Sequence, residues 1–205
     1  MRLSILICTI FERADNFAPK IMKELRRQRH ASKHKDVIQL LSLGDDPDFT
    51  DSDPMSIGEK RNHLISLAKG QYVCFVDDDD MIADDYIDQI FEGMRLAPGM
   101  DCYNFKVAYS DGRENKNVPV YYSMKYQRDN DVRSMGHVES YERMPNHLMV
   151  IRLGIAEQVK FREINKGEDT YWAREVRQLL TSEHCIDKTL YWYNWNMQTT
   201  VAQKR

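Results

Sequence analysis

Four consecutive aspartates, Asp77, Asp78, Asp79 and Asp80, directly follow the apolar segment 72–76. Adjacent carboxylates repel one another, and each raises the pKa of its neighbour. A divalent cation such as Mg²⁺ or Mn²⁺ removes that cost, because it binds carboxylate oxygens and keeps positions open for phosphate oxygens. This aspartate run therefore indicates a metal and phosphate site at the carboxyl edge of an α/β sheet. The alternative is ordinary acidic residues that end a strand.

Other charged residues gain meaning only from their surroundings. An acidic pair, Glu168 and Asp169, begins an amphipathic segment, where acidic residues are also explained by the helix dipole. Lys60 and Arg61 lie in a predicted helix, and charged residues there ordinarily form a solvated face. His147 precedes a short apolar segment, where a lone histidine is more often a structural hydrogen bonder.

Alternating strand and helix patterns in the first half position the aspartate run. The predicted elements are strand 3–8, a helix capped at Asp15 or Asn16, strand 37–43, helix 56–69, strand 71–76 and a helix from Asp84 to about residue 94. Such alternation implies right-handed crossovers and a parallel, doubly wound sheet. We therefore predict an α/β fold whose parallel strands end at a common ligand-binding edge.

The pattern becomes irregular after residue 100. Predicted elements are strands 101–110 and 118–124 around a turn at 110–112, strand 147–152, helix 167–180 and strand 185–193. Residues 125–145 are polar and show no clear period, which predicts a mobile loop that closes over the site as a lid. Aromatic residues at 190–197 predict either core packing or an acceptor platform. Without a repeat or linker, the simplest prediction is one domain.

Composition excludes several classes of protein. The 205 residues are 42% hydrophobic and carry a formal net charge of −3, whereas a general nucleic-acid binder would show a basic excess. No apolar segment approaches the roughly 20 residues that cross a bilayer, so no transmembrane segment is expected. The four cysteines, Cys8, Cys74, Cys102 and Cys185, form no CxxC pair. We therefore predict reduced thiols and a cytoplasmic protein.

Five segments, in this order, resemble the family 2 glycosyltransferases, which use nucleotide sugars. They are SILICTIFERAD, LLSLGDDPDFTD, IGEKRNHLISLAKGQYVCFVDDDD, PNHLMVIR and INKGEDTYWAREV. The resemblance covers nearly the whole chain. It implies a single GT-A (Rossmann-like) domain over residues 1–205, with a mostly parallel central sheet flanked by helices and a mixed or antiparallel C-terminal half. Residues 1–100 would form the nucleotide-binding half and residues 101–205 the acceptor-binding half.

The resemblance also implies roles at the donor site. Asp77 and Asp79 match the DxD pair of the family, so one or both would bind Mn²⁺ or Mg²⁺ bridging the donor diphosphate. The register within the four aspartates is uncertain by one residue. Asp78 would contact the ribose, and Asp80 would support the others. The remaining predicted donor-site residues are Thr9, Arg13, Asp45, Asp46, Arg61 and His147. Asp45 or Asp46 would accept an N–H of the base, which favours uracil and hence a UDP-sugar.

For catalysis, the resemblance makes Asp169 the general base that deprotonates the acceptor hydroxyl, with Glu168 as its supporting neighbour. The implied reaction is a single in-line displacement that inverts the anomeric carbon. One departure concerns the metal: Trp192 stands where many relatives carry a histidine ligand. A third metal ligand from the protein is therefore in doubt.

Two alternatives and the acceptor stay open. A nucleotidyltransferase would normally have a glycine-rich loop after the first strand, and residues 9–13 contain no glycine. A non-catalytic nucleotide-sugar-binding module is the other alternative. The acceptor can be a saccharide, a lipid-linked sugar, a protein side chain or a modified DNA base. The sequence predicts no oligomeric state.

Overall fold

The N-terminal half builds the parallel part of the sheet. The computed structural model describes residues 1–10, 17–44, 55–110 and 117–194. Strands β1 (Leu3–Cys8), β2 (Ile38–Leu43) and β3 (Tyr72–Phe75) lie in the order β2-β1-β3 and are parallel, as the alternation predicted. The helices are α1 (Ala18–Ala31), α2 (Ile57–Leu67) and α3 (Tyr86–Leu96).

The C-terminal half extends the same sheet with mixed pairing. Its elements are β4 (Met81–Ile82), β5 (Cys102–Ser110), β6 (Val118–Tyr122), β7 (Asn130–Ser134), β8 (His137–Arg143), β9 (Val150–Arg152), α4 (Leu153–Ala156), α5 (Glu168–Leu179) and β10 (Glu183–Asn194). The sheet continues from β3 through β9-β5-β6-β8-β7, and β10 pairs with β5 and β4. The α/β fold with an irregular second half is thus confirmed.

The predicted mobile loop at residues 125–145 is wrong. Residues 130–143 form the antiparallel hairpin β7–β8, and β8 pairs in parallel with β6. The hairpin turns at Met135 and Gly136, both of which have positive φ. Because β7 and β8 are only partly buried, their sequence lacks a strong apolar alternation. A lid made from a loop at this place is therefore not supported.

Several predicted boundaries shift by one to three residues. Asp84 does not cap α3, since the helix begins at Tyr86 after Asp85. The caps predicted at Asp15 or Asn16 and most of the turn predicted at 110–112 lie outside the described residues. Ser56 does cap α2, in a reciprocal capping box with Glu59. Such shifts are expected, because helix ends depend on local caps that compete with tertiary contacts.

The core covers both faces of the parallel strands. Every residue of β1 is buried, as required for a central strand between two layers of helices. Cys8, Cys74 and Cys102 are buried free thiols, and Cys185 is exposed. Among the residues that the structure describes, none of the helices has the length and apolar character to cross a bilayer. The carboxyl ends of β1 and β3 lie side by side, which brings Thr9 close to the aspartate run.

Candidate active site

A cleft of about 440 Å³ lies at the carboxyl ends of β1 and β3. It is the place where open α/β sheets usually bind ligands. The predicted site residues that line it are Thr9, Arg61, Asp77, Asp78, Asp79, His147, Glu168 and Asp169. Three other predicted residues, Arg13, Asp45 and Asp46, lie outside the described residues. The fold therefore brings the aspartate run and the distant acidic pair to one cleft.

Asp77 is held by cationic and polar groups from three elements. Its Oδ1 accepts a hydrogen bond from Nη2 of Arg61 at 3.1 Å, and its Oδ2 lies 3.3 Å from Nε2 of His147. Its backbone N–H donates to the hydroxyl of Tyr191 at 3.0 Å. Both carboxylate oxygens of Asp77 therefore already face nitrogen atoms of the protein.

The other aspartates of the run point in different directions. Asp78 is buried and accepts a hydrogen bond from the hydroxyl of Thr9. Asp80 is also buried, and the hydroxyl of Tyr191 donates to its Oδ2 at 2.7 Å. Asp79 is half-buried and lines the cleft. Asp80 does not line the cleft but contacts Tyr191, and the supporting role predicted for it stays a prediction.

Tyr191 holds the aspartate run in place through its hydroxyl group. Its hydroxyl accepts from the N–H of Asp77 and donates to Asp80, so it joins the two ends of the run. Burial, together with Asp80 and Asp77, raises the pKa of Tyr191 well above its ordinary value of 10.0. The hydroxyl therefore remains protonated and available as a donor. Tyr191 is fully buried, whereas its neighbour Trp192 is only partly buried.

Arg61 is buried between the two acidic groups, not on a solvated helix face. Its guanidinium lies 5.2 Å from the ring centroid of Phe75 and 5.5 Å from that of Phe161. Nη2 contacts Asp77 and lies 3.6 Å from Oε1 of Glu168. Burial acts to lower the pKa of Arg61, but Asp77 and Glu168 outweigh it and raise that pKa. Arg61 therefore stays charged and links the aspartate run to the acidic pair.

The acidic pair begins α5 after Gly167, whose φ of 80° lies in the left-handed region that glycine tolerates. Glu168 is buried, and burial raises its pKa above 4.5, with Arg61 opposing and Asp169 adding to the shift. Asp169 is more accessible, with 37% of its side chain exposed. Its Oδ1 accepts from the N–H of Thr170 at 2.7 Å. The second oxygen of Asp169 faces the cleft near His147.

His147 lies between the aspartate run and Asp169. Its Nε2 contacts Asp77, and its Nδ1 lies 3.9 Å from Oδ2 of Asp169. The imidazole is only 4% exposed and packs edge-on against Phe75, with ring centroids 6.0 Å apart. The structure therefore places this histidine inside the cleft, where it spans the two acidic groups.

The sequence model of a protein family matches a segment that includes much of this site. The family is described as Glycosyl transferase family 2, and the match covers residues 56–148. The chain is therefore similar to this family over the part that holds the end of β3. The matched segment contains Arg61, the aspartate run and His147, whereas the acidic pair follows it.

Solved structures with a similar fold match nearly the whole chain. Similar folds occur in S. aureus TarS 1-349 in complex with UDP-GlcNAc, with a TM-score of 0.62 and 14% identity, and in complex with UDP, with a TM-score of 0.63 and 16% identity. These matches cover 95% and 97% of this chain, which spans 58% and 62% of the TarS chains. No curated protein matches the chain by sequence.

The carboxylates of the aspartate run fit an open metal site. Mg²⁺ is commonly held by one or two carboxylates together with substrate phosphates and water. Asp77, Asp78 and Asp79 supply hard oxygen ligands to the cleft. In the described part of the chain, no three His, Cys, Asp or Glu side chains are grouped to hold an ion by themselves. A metal here would therefore depend on phosphate oxygens to complete its coordination.

Four tyrosines form the far side of the cleft, and we call them the tyrosine wall: Tyr109, Tyr122, Tyr141 and Tyr193. They come from β5, β6, β8 and β10, and each is half-buried. The rings of Tyr109 and Tyr193 stack with centroids 5.6 Å apart, and Tyr141 meets Tyr109 edge-on at 5.5 Å. The C-terminal aromatic residues were predicted either to pack in the core or to form an acceptor platform. Tyr191 packs in the core, whereas Tyr193 faces the cleft. Trp195 lies outside the described residues.

Sequence reasoning missed two residues that contact parts of the site: Lys60, and Tyr191 in its hydrogen-bonding role. Nζ of Lys60 donates to the carbonyl of Thr9 at 3.0 Å and is buried. The sequence of α2 did contain a signal that Lys60 and Arg61 are buried. The apolar residues Leu64 and Ile65 follow them by one helical turn and therefore lie on the same, buried face. For Tyr191 no local signal exists, because its partners lie more than a hundred residues away.

Proposed function

We propose that this chain is a glycosyltransferase that moves a sugar from a nucleoside-diphosphate sugar to an acceptor hydroxyl. The observation that carries the proposal is the meeting of the aspartate run and Asp169 across one cleft. The nucleotide ligands of the TarS structures, UDP-GlcNAc and UDP, support a donor of this class. A UDP-sugar is therefore the donor that we expect.

The donor nucleotide would lie at the β1 end of the cleft. Thr9 and Asp78 are hydrogen-bonded to each other at this end, and the ribose would contact Asp78. We keep Arg13, Asp45 and Asp46 as proposed donor contacts, the last two with the base. Arg61 is enclosed by Phe75, Phe161 and two carboxylates, so it would act on the diphosphate through Asp77 and not by reaching the base.

Within the aspartate run, Asp79 is the favoured ligand for Mn²⁺ or Mg²⁺. Both oxygens of Asp77 face Arg61 and His147, so Asp77 would contribute at most in part. When bound, the metal supplies Lewis-acid stabilisation to the leaving diphosphate. The protein itself would orient that diphosphate through the fixed loop that Tyr191 and Thr9 hold. Metal dependence is part of the proposal.

Asp169 would take the proton from the acceptor hydroxyl. Its side chain lines the cleft and is more than a third exposed, which suits an in-line attack that would invert the anomeric carbon. Glu168 would not exchange protons with the acceptor, because it is buried against Arg61. Its role would be to hold the start of α5. His147 would keep Asp77 and Asp169 at a fixed separation.

The acceptor would approach along the tyrosine wall. A second hollow of about 180 Å³ adjoins Asp169 and is lined in part by Tyr122, Arg143 and Asn146. Aromatic faces and planar polar groups suit a sugar ring, and the carboxylates of the cleft disfavour a polyanion. A saccharide is therefore favoured among the four acceptor classes.

On this view the N-terminal half binds the donor and residues 101–205 contribute most of the acceptor side. We also propose that the protein works in the cytoplasm, in keeping with its free thiols.

The direct test is release of nucleoside diphosphate from a set of nucleotide sugars, with and without Mn²⁺. We expect one UDP-sugar to raise the melting temperature and to be consumed only with metal. Chelation by EDTA should stop release, and added Mn²⁺ should restore it. Donor binding without UDP release would instead support the non-catalytic module. Release of pyrophosphate from a nucleoside triphosphate would support the nucleotidyltransferase.

A further inference from the structure

Helix α2 contacts both acidic groups of the cleft through one face. The face consists of Gly58, Arg61, Asn62 and Ile65, spaced so that they lie on one side of a helix. Arg61 contacts Asp77 and Glu168, as described above. The neighbouring residues of this face contact the segment 161–165, which leads directly into the acidic pair.

Asn62 binds the backbone of Phe161 in both directions. Its Nδ2 donates to the carbonyl of Phe161 at 2.9 Å, and its Oδ1 accepts from the N–H of Phe161 at 2.8 Å. The amide group therefore satisfies a backbone donor and a backbone acceptor of a segment that is not in a helix or strand. The ring of Phe161 in turn stacks on Trp172 of α5, with centroids 4.7 Å apart.

Gly58 lets the segment 161–165 approach the helix backbone. A Cβ at this position would lie 1.8 Å from the carbonyl oxygen of Arg162, which no side chain can accommodate. The N–H of Gly58 donates to the carbonyl of Ile164 at 3.2 Å, and the N–H of Ile57 donates to Oδ1 of Asn165 at 2.9 Å. Two consecutive N–H groups in the first turn of α2 thus bind this segment, one at a backbone carbonyl and one at a side-chain oxygen.

We propose that Asn62 and Gly58 are positioning residues, which fix the segment 161–165 and thereby set where Asp169 stands relative to Asp77. We call this contact the clasp. Neither residue lines the cleft, so neither touches donor or acceptor directly. The role rests on the proposed function, because it matters for catalysis only if Asp169 acts on the acceptor. Misplacement of a catalytic group by about 1 Å costs on the order of 10²-fold in rate.

The decisive variant is Asn62→Ala, and Gln28→Ala is its matched control. Gln28 also binds backbone in both directions, donating to the carbonyl of Ala83 at 2.7 Å and accepting from the N–H of Ile87 at 3.0 Å. Its partners, however, do not lead to Asp169. We expect Asn62→Ala to lower kcat about 10- to 100-fold with the donor KM unchanged, and Gln28→Ala to leave kcat within about twofold.

Amide hydrogen exchange tests the clasp independently of the proposed function. In Asn62→Ala the amides of residues 161–168 should exchange faster while those of β3 stay protected; Gln28→Ala should leave both unchanged. Gly58→Ala should act as Asn62→Ala does, without removing an amide partner. Equal kcat losses for Asn62→Ala and Gln28→Ala, or unchanged exchange at 161–168, would overturn the clasp. A wild-type protein that uses no nucleotide sugar would refute the proposed function, and exchange would still decide whether Asn62 fixes this segment.

Discussion

The aspartate run and the acidic pair face the same cleft, but their carboxylates are held by different numbers of groups. Asp77, Asp78 and Asp80 all accept hydrogen bonds from side chains of other elements, and Tyr191 joins two of them. In the acidic pair, Glu168 is buried against Arg61, whereas Asp169 keeps more than a third of its side chain exposed. Under the proposed function, the donor side would therefore be preorganised and the base side would stay open to an incoming acceptor.

This difference has a physical reason. A charged diphosphate needs dipoles and charges already in place, because reorganising them during the reaction costs free energy. A general base needs access to a hydroxyl that enters from solvent, and it must be able to exchange its proton afterwards. The four predictions below test the contrast, from the largest expected effect to the smallest.

The first prediction concerns the open side. Asp169→Asn should lower sugar transfer by about 10²- to 10⁴-fold, because the amide cannot take the proton from the acceptor. Donor affinity, measured by calorimetry with UDP and Mn²⁺, should stay the same. Near-wild-type transfer by this variant would remove Asp169 from the role of base. A matched loss of UDP affinity would place Asp169 on the donor side and break the contrast.

The second prediction concerns the residue that joins the two sides. Arg61→Met should destabilise the fold by about 3–5 kcal/mol, because it leaves Asp77 and Glu168 buried without their shared cation. Arg61→Lys is the control, since it keeps the charge but cannot contact both carboxylates from a planar group. We expect it to lie between wild type and Arg61→Met in urea unfolding. Equal stability of Arg61→Met and wild type would show that the ion pairs contribute nothing.

The third prediction tests preorganisation of the aspartate run. Tyr191→Phe should cost about 1–3 kcal/mol, because it removes the buried hydroxyl that accepts from the N–H of Asp77 and donates to the carboxylate of Asp80. It should also weaken Mn²⁺-dependent donor binding. Tyr103→Phe is the control: its hydroxyl donates to the carbonyl of Ala97 at 2.7 Å, and Tyr103 does not line the cleft. A similar loss of donor binding in both variants would argue against a specific role for Tyr191.

The fourth prediction uses the raised pKa of Glu168. A raised pKa means that the folded state binds this proton more tightly than the unfolded state. The stability of the wild type should therefore fall as pH rises from the ordinary value of 4.5 through the raised value. Glu168→Gln has no proton to lose, so its melting temperature should gain on that of the wild type across this window. A difference between the two proteins that stays constant with pH would contradict the shift.

The N-terminal half could be predicted well because its signals are local. Continuous apolar segments gave β1, β2 and β3, and the helical period gave α2 close to its true bounds. The sequence did not predict the hairpin β7–β8. Its two strands are exposed or only partly buried, so their residues show little alternation between apolar and polar side chains. The burial of Arg61 could not be predicted from the charges of α2 alone, because it depends on tertiary contacts with Asp77 and Glu168.

By itself, the sequence determined the alternation of strands and helices, the place of the aspartate run at the end of a strand, and the resemblance to family 2 glycosyltransferases. Each follows from residues that are near one another in the chain. Only the tertiary structure decided that Arg61 and His147 link Asp77 to the acidic pair, and that Tyr191 fixes the aspartate run. A charge or hydroxyl can be buried only where a distant segment supplies its partner, and that depends on strand order and register.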